Sequence, residues 1–190
     1  TFLHLATMFS RIVVYFTTPK GVQSEAFAHL CPAVTLECGK PGGIGGIEHA
    51  ATFVEGALHL SSFPAHPVPK HDLSLFHSVA VVTVPEAISL SVGASLSNLC
   101  LEENIDHYNF RELEPGTRLG FVSDTNLMPL RALNETGQDI SGYYFEVKAG
   151  ELIIRRPVMP AMLTRDILII RQDCLCYLME RLELKLISPL

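Results

Sequence analysis

Apolar residues come in two textures along this chain. In the first third they gather into short β-branched runs and one helical stripe. Residues 11–16 read Arg-Ile-Val-Val-Tyr-Phe and predict a buried strand, closed by the loop Thr17-Thr18-Pro19-Lys20-Gly21. Residues 33–38 predict a second strand, ended by the glycine-rich turn Gly39-Lys40-Pro41-Gly42-Gly43. From 44 to 60 the period lengthens. Ile47, Ala51, Val54 and Leu58 recur at helical spacing, while Glu48, Glu55 and His59 fall on an adjacent face. The expectation is an amphipathic helix laid on a sheet. Strand, turn and helix in that order are the α/β idiom, and catalytic groups gather at the carboxyl ends of such strands.

The stretch 63–71 holds three prolines and predicts a linker, because proline continues neither helix nor sheet. Beyond it the pattern changes to short alternating runs at 76–84, 87–92, 108–113, 118–123, 127–133, 143–147 and 151–155. Turns such as Pro115-Gly116, Asn134-Glu135-Thr136-Gly137 and Ala149-Gly150 separate most of them. Ile167, Ile170, Cys174, Leu178 and Leu182 then step by three and four, which favours a terminal helix over 166–184 with Thr164 as its cap, although an Ile-rich run of this kind also suits a strand. The fold expected is α/β, a partial zinc-carboxypeptidase-like sheet, followed by a β-rich antiparallel sandwich or barrel. Residues 1–62 would be the C-terminal part of an α/β catalytic domain, 63–71 the linker, and 72–190 the β-rich domain.

Composition narrows the partners. The chain has 190 residues, 48% of them hydrophobic, which implies a large core or an apolar surface that meets a partner. Its net charge is -6, and Lys and Arg are scattered, so no basic stripe tracks a nucleic-acid backbone. No apolar run reaches the roughly 18 residues that span a bilayer, and the N-terminus lacks the basic region of a secretion signal. It also lacks an initiator Met, so a processed or truncated start is expected. The five cysteines are odd in number and sit among apolar neighbours, which fits a reduced, cytoplasmic protein. Cys174 and Cys176 form a C-x-C pair without a second pair, too little for a metal site.

Glu37 is the first candidate for chemistry. It stands in an otherwise apolar run where the run meets glycines, and a carboxylate in such surroundings suits a general base; the plain alternative is a strand-end Glu turned to solvent. The glycine run 39–46 fits neither the dinucleotide fingerprint nor the P-loop, and a tight strand-to-helix turn accounts for it. The eight histidines form no H-x-x-E, H-E-x-x-H or H-x-H. Glu55 and His59 are four apart on one helix face, a spacing that solvation or ion pairing explains without a metal. No nucleophile elbow is present, and Ser24 and Glu25 near His29 are neighbours in sequence only.

At Glu37 the sequence becomes familiar. Residues 11–40 resemble the middle of the succinylglutamate desuccinylase/aspartoacylase family. There a strand leads to a Thr-Thr loop, and a second strand ends in Thr-x-Glu-x-Gly, matched here by Thr35-Leu36-Glu37-Cys38-Gly39. Leu113-Glu114-Pro115-Gly116-Thr117 is similar to a proline-glycine turn of the family's β-domain. The resemblance implies a zinc-dependent hydrolase of N-acyl amino acids or similar small amides, with Glu37 as the base that takes a proton from water and returns one to the leaving amine. Two features of the family are missing: the upstream H-x-x-E and later His that bind zinc, and a tyrosine in the C-terminal domain. His4 lacks the preceding Asp of the family's later His. The reading is therefore a C-terminal portion of a longer enzyme. Zinc is expected in the full-length enzyme and none is held by this chain, which alone would be inactive and would self-associate through its uncovered sheet. The alternative is a non-catalytic ligand-binding or assembly module without metal.

Overall fold

The computed structural model describes residues 2–17, 21–39, 42–93 and 97–183. The architecture is mixed α/β, with sheet predominating over a few helices, and the curled sheets form a half-barrel. The chain divides into two compact units. One spans Thr1–Phe76 together with the chain end from Leu182, and the other spans His77–Arg181.

The first unit holds α1 (Phe2–Thr7), β1 (Ile12–Tyr15), α2 (Gln23–Ala28) and α3 (Ile44–Leu58). The run 11–16 forms the strand β1, and beside it the Ser74 N–H donates to the Arg11 carbonyl at 2.8 Å. The run 33–38 does not form a strand: these residues lie outside every helix and strand. A β-branched run becomes a strand only when a neighbour takes its backbone N–H and C=O groups. Residues 33–38 have no ladder partner among the described residues. The stretch 63–71 expected as a linker is irregular as far as residue 69, and its last two residues enter a 3₁₀ turn, Lys70–Asp72.

The helix α3 forms where the periodicity places it, but it is not laid on a sheet by its apolar stripe. Its inward side is Gly46, Ala50, Phe53 and Ala57, each half-buried. A Cβ at Gly46 would collide with the Cys38 carbonyl, so only glycine permits this approach. Phe53 meets the Phe9 ring edge-on, and His49 stacks on Phe9 while its Nε2–H donates to the Phe9 carbonyl at 2.7 Å. The stripe Ile44, Ile47, Ala51, Val54 and Leu58 faces solvent. Amphipathic spacing identifies the apolar face of a helix; it does not say that a cover is at hand. Among the described residues from Phe2 to Asp72 none is buried, and the first buried side chain is Leu73.

The second unit has a core. The strand β2 (Ser74–Thr83) enters this unit at His77, and along it Ser78, Ala80 and Val82 alternate inward. It is flanked by β6 (Arg131–Leu133), with Val82 opposite Ala132, and by β10 (Cys176–Arg181), which in turn pairs antiparallel with β9 (Met159–Ala161). The other sheet runs β3 (Leu90–Val92), β4 (Leu99–Leu101), β5 (Arg118–Val122), β8 (Glu151–Ile154), β7 (Phe145–Lys148). Leu99, Leu101, Ile105, Leu152 and Ile154 are at most 1% exposed. Side chains of this size contribute about 1.5–3 kcal/mol each when fully buried, before packing costs. Gly120 sits at the β5 bulge, where a Cβ would strike the Cys100 carbonyl.

The β-rich expectation is met by a half-barrel rather than a closed sandwich or barrel, and it is not wholly antiparallel, since β3 and β4 run parallel. Several elements also shift. The run 87–92 keeps only its last three residues as strand, because the Ile88 N–H closes a turn onto the Pro85 carbonyl. The run 108–113 is a 3₁₀ turn (Ile105–Tyr108) and irregular chain ending in one bridge, Leu113 to Val158. The run 143–147 begins as a short helix, α4 (Ser141–Tyr144), before β7. The terminal helix over 166–184 is two elements: α5 (Ile167–Gln172), then β10. Asp166, not Thr164, caps α5, accepting from the Leu168 and Ile169 N–H groups. The helix stops at Asp173 because residues 174–179 are claimed by the core, with Cys174, Leu175, Cys176, Leu178 and Met179 all buried. Residue 184 lies outside the described residues.

Candidate functional site

Glu37 lies on the irregular segment that leads from α2 to the turn before α3. That segment is tethered at several points. The Thr35 hydroxyl donates to Ser24 Oγ on α2 at 3.0 Å. The Glu25 carboxylate accepts from the Gly21 N–H at 2.6 Å and so closes the loop before α2. Gly46 is seated against the Cys38 carbonyl. Gly39 and Gly42 both adopt positive φ, 86° and 81°, and turn the chain toward α3. Between these fixed points the Glu37 side chain is exposed, and it has no hydrogen-bond or ion-pair partner among the described residues. An apolar strand end does not surround it. Its availability to a reacting group rests on accessibility.

The other sequence candidates separate. Ser24 and Glu25 are occupied as described and neither bonds His29, so no relay forms. His59 donates Nδ1–H to the carbonyl of Glu55 at 2.8 Å, a helix-end bond rather than a shared metal. His4 donates Nε2–H to the His66 carbonyl at 2.7 Å. A ring nitrogen that donates to a carbonyl carries its proton and presents no lone pair at that atom. Cys38 Sγ leans on the Leu36 carbonyl at 3.8 Å. Among the described residues no group of three His, Cys, Asp or Glu side chains converges. The donors near Glu37 therefore do not fit a zinc site by themselves.

The second unit holds a polar arrangement that the sequence did not signal. Tyr144, only 2% exposed, donates its hydroxyl to Glu180 at 2.9 Å, and burial together with that carboxylate pushes its pKa up. Beside it the Arg156 guanidinium lies 3.9 Å over the Tyr143 ring. Adjacent tyrosines and the Arg155-Arg156 pair stand in plain view in the sequence, but nothing there links Tyr144 to a carboxylate 36 residues away. Elsewhere Arg118 is held between Glu102 and Glu151 on the sheet surface. A void of about 10 Å³, lined by Ile105, Leu113, Phe145, Leu175 and Leu178 among others, is apolar. It is barely the size of one water and far below a ligand pocket.

Cys174 and Cys176 are both buried, and burial pushes the Cys174 thiol up to about 11 and that of Cys176 higher still. They are packing residues. All five cysteines are unpaired. No helix among the described residues is long and apolar enough to cross a membrane. Compared with family models, with curated proteins and with solved structures, the chain matches none.

Proposed function

We propose that this chain is part of a zinc-dependent hydrolase of N-acyl amino acids or similar small amides, working in the cytoplasm, with Glu37 as its general base. The observation that carries the reading is the placement of Glu37 within Thr35-Leu36-Glu37-Cys38-Gly39. Its carboxylate is exposed, unpaired among the described residues, and held on a segment fixed at both ends. A free carboxylate on a tethered segment can accept a proton from an attacking water and pass it to the leaving nitrogen, which needs a base of constant position. Zinc, when bound in such an enzyme, polarises the amide carbonyl and makes the water more acidic. The described residues do not supply its ligand set, so no step here is assigned to the metal.

The metal ligands would then come from sequence outside these 190 residues. The test is an amidase assay on an N-acetyl amino acid. The 190-residue chain with added zinc should give no turnover above buffer, and a longer gene product carrying an upstream H-x-x-E should hydrolyse the substrate. Zinc-dependent turnover by the 190 residues alone, or none by the longer product, contradicts the proposal.

A further inference from the structure

The helix α3 leaves Ile44, Ile47, Val54 and Leu58 in solvent, on a flank beside the face that meets its own unit. Ile44, Ile47, Ala51, Val54 and Leu58 fall at steps of three and four, within an arc of about 80° at 100° per residue. The four larger ones are 72%, 64%, 51% and 81% exposed. The half-buried face, Gly46, Ala50, Phe53 and Ala57, is the one that meets the rest of the unit. A helix whose stripe stays in water forfeits the burial that normally holds an amphipathic helix in place. We propose that this stripe is the docking face for a different polypeptide, one presenting an apolar ridge or sheet face rimmed with lysine or arginine.

The charges along the stripe select that occupant. Glu48 and Glu55 lie along one edge of it, α3 contains no Lys or Arg, and the whole chain is at -6. In heptad terms the stripe fills the a and d positions and the two glutamates fill e, where flanking charge sets partner choice. A second copy docked antiparallel would bring Glu48 opposite Glu55. Docked parallel, it would set the glutamates against Ala50 and Ala57 and gain no ion pair. An anionic membrane surface is repelled by the same edge. A basic rim is complementary to it. The inference stands on α3 alone and survives if Glu37 proves catalytically inert.

Two synthetic helical peptides with the same leucine seam test it, one flanked by lysine and one by glutamate, each titrated against the 190-residue chain by fluorescence anisotropy. The lysine-flanked peptide should bind at least about tenfold more tightly, because a few ion pairs of ordinary strength add to that much. The preference should shrink toward twofold in 1 M NaCl, where the screening length is about 3 Å. Ile47→Asp and Val54→Asp should abolish binding with the circular dichroism of the chain unchanged, since both side chains are exposed. The double variant E48K/E55K should reverse the preference. Absence of binding by both peptides, equal affinity for the two, or seam variants that bind like the parent would overturn the proposal. So would a dimer in light scattering, or binding to phosphatidylserine vesicles, that Val54→Asp removes.

Discussion

Asn109 works as a piece of strand. Its Nδ2–H donates to the Leu163 carbonyl at 2.6 Å, and its Oδ1 accepts from the Leu163 N–H at 2.7 Å. The side-chain amide thus satisfies both backbone groups of a residue only 5% exposed. Both neighbours of this clamp, Phe110 and Met162, hold positive φ, 56° and 62°, a backbone region that costs non-glycine residues energy. Asn109→Ala removes these two hydrogen bonds and a third, from Nδ2 to the Asp106 carbonyl at 3.1 Å, and it orphans two Leu163 groups that water reaches poorly. At about 1 kcal/mol net per bond, with part of the desolvation cost of each orphan added, the loss is about 2–4 kcal/mol. For a unit of roughly 100 residues that is a fall in Tm of about 10 °C or more. The chain has no Trp, so urea unfolding is best followed by circular dichroism. Asn109→Asp keeps the acceptor but sets a carboxylate against the Leu163 carbonyl, which raises the pKa of the new side chain in the folded state. Its contribution is therefore favourable below the ordinary carboxyl range, where the protonated form donates, and is lost as pH rises through the raised value. A variant Asn109→Ala within about 0.5 kcal/mol of the parent would refute the clamp.

Two further outcomes are expected. The β7–β8 hairpin turns on Ala149 and Gly150, with φ of 51° and 82°, a two-residue loop that favours Asn-Gly; Ala149→Asn should therefore stabilise the chain by about 1 kcal/mol in the same urea assay, and a destabilised variant would show the turn to be of another type. Alkylation at pH 8 followed by mass spectrometry should modify Cys31 first and leave Cys174 and Cys176 untouched. Both are buried, and a thiol with a pKa of about 11 has roughly one part in a thousand as reactive thiolate at that pH. Early labelling of Cys176 would contradict its place in the core.

What the sequence made legible follows from what local pattern encodes. β1, α3, β5 and β8 were readable because their period and punctuation are local, and Gly150 and Pro85 mark turns by their own backbone limits. The failures are tertiary. Residues 33–38 have strand chemistry and no neighbouring strand among the described residues. Residues 166–181 have helical spacing throughout, yet the core claims Leu175, Cys176 and Leu178 and converts the second half to strand. The short strands β4 and β9, three residues each, carry too little pattern to stand out. At the candidate site the motif around Glu37 was legible, whereas its exposure was not, because exposure depends on what else covers the segment. The direction of the α3 stripe was hidden for the same reason.

The central claim is the role of Glu37, and the most direct measurement is the hydrolysis rate of an N-acetyl amino acid by the zinc-loaded longer gene product and by its Glu37→Gln variant. Glutamine keeps the size and exposure of the side chain and removes the proton acceptor. kcat/KM should fall by about 10²–10⁴-fold, the usual worth of a general base, with zinc content and urea midpoint unchanged. A variant that keeps more than a third of the parent's activity would contradict that role.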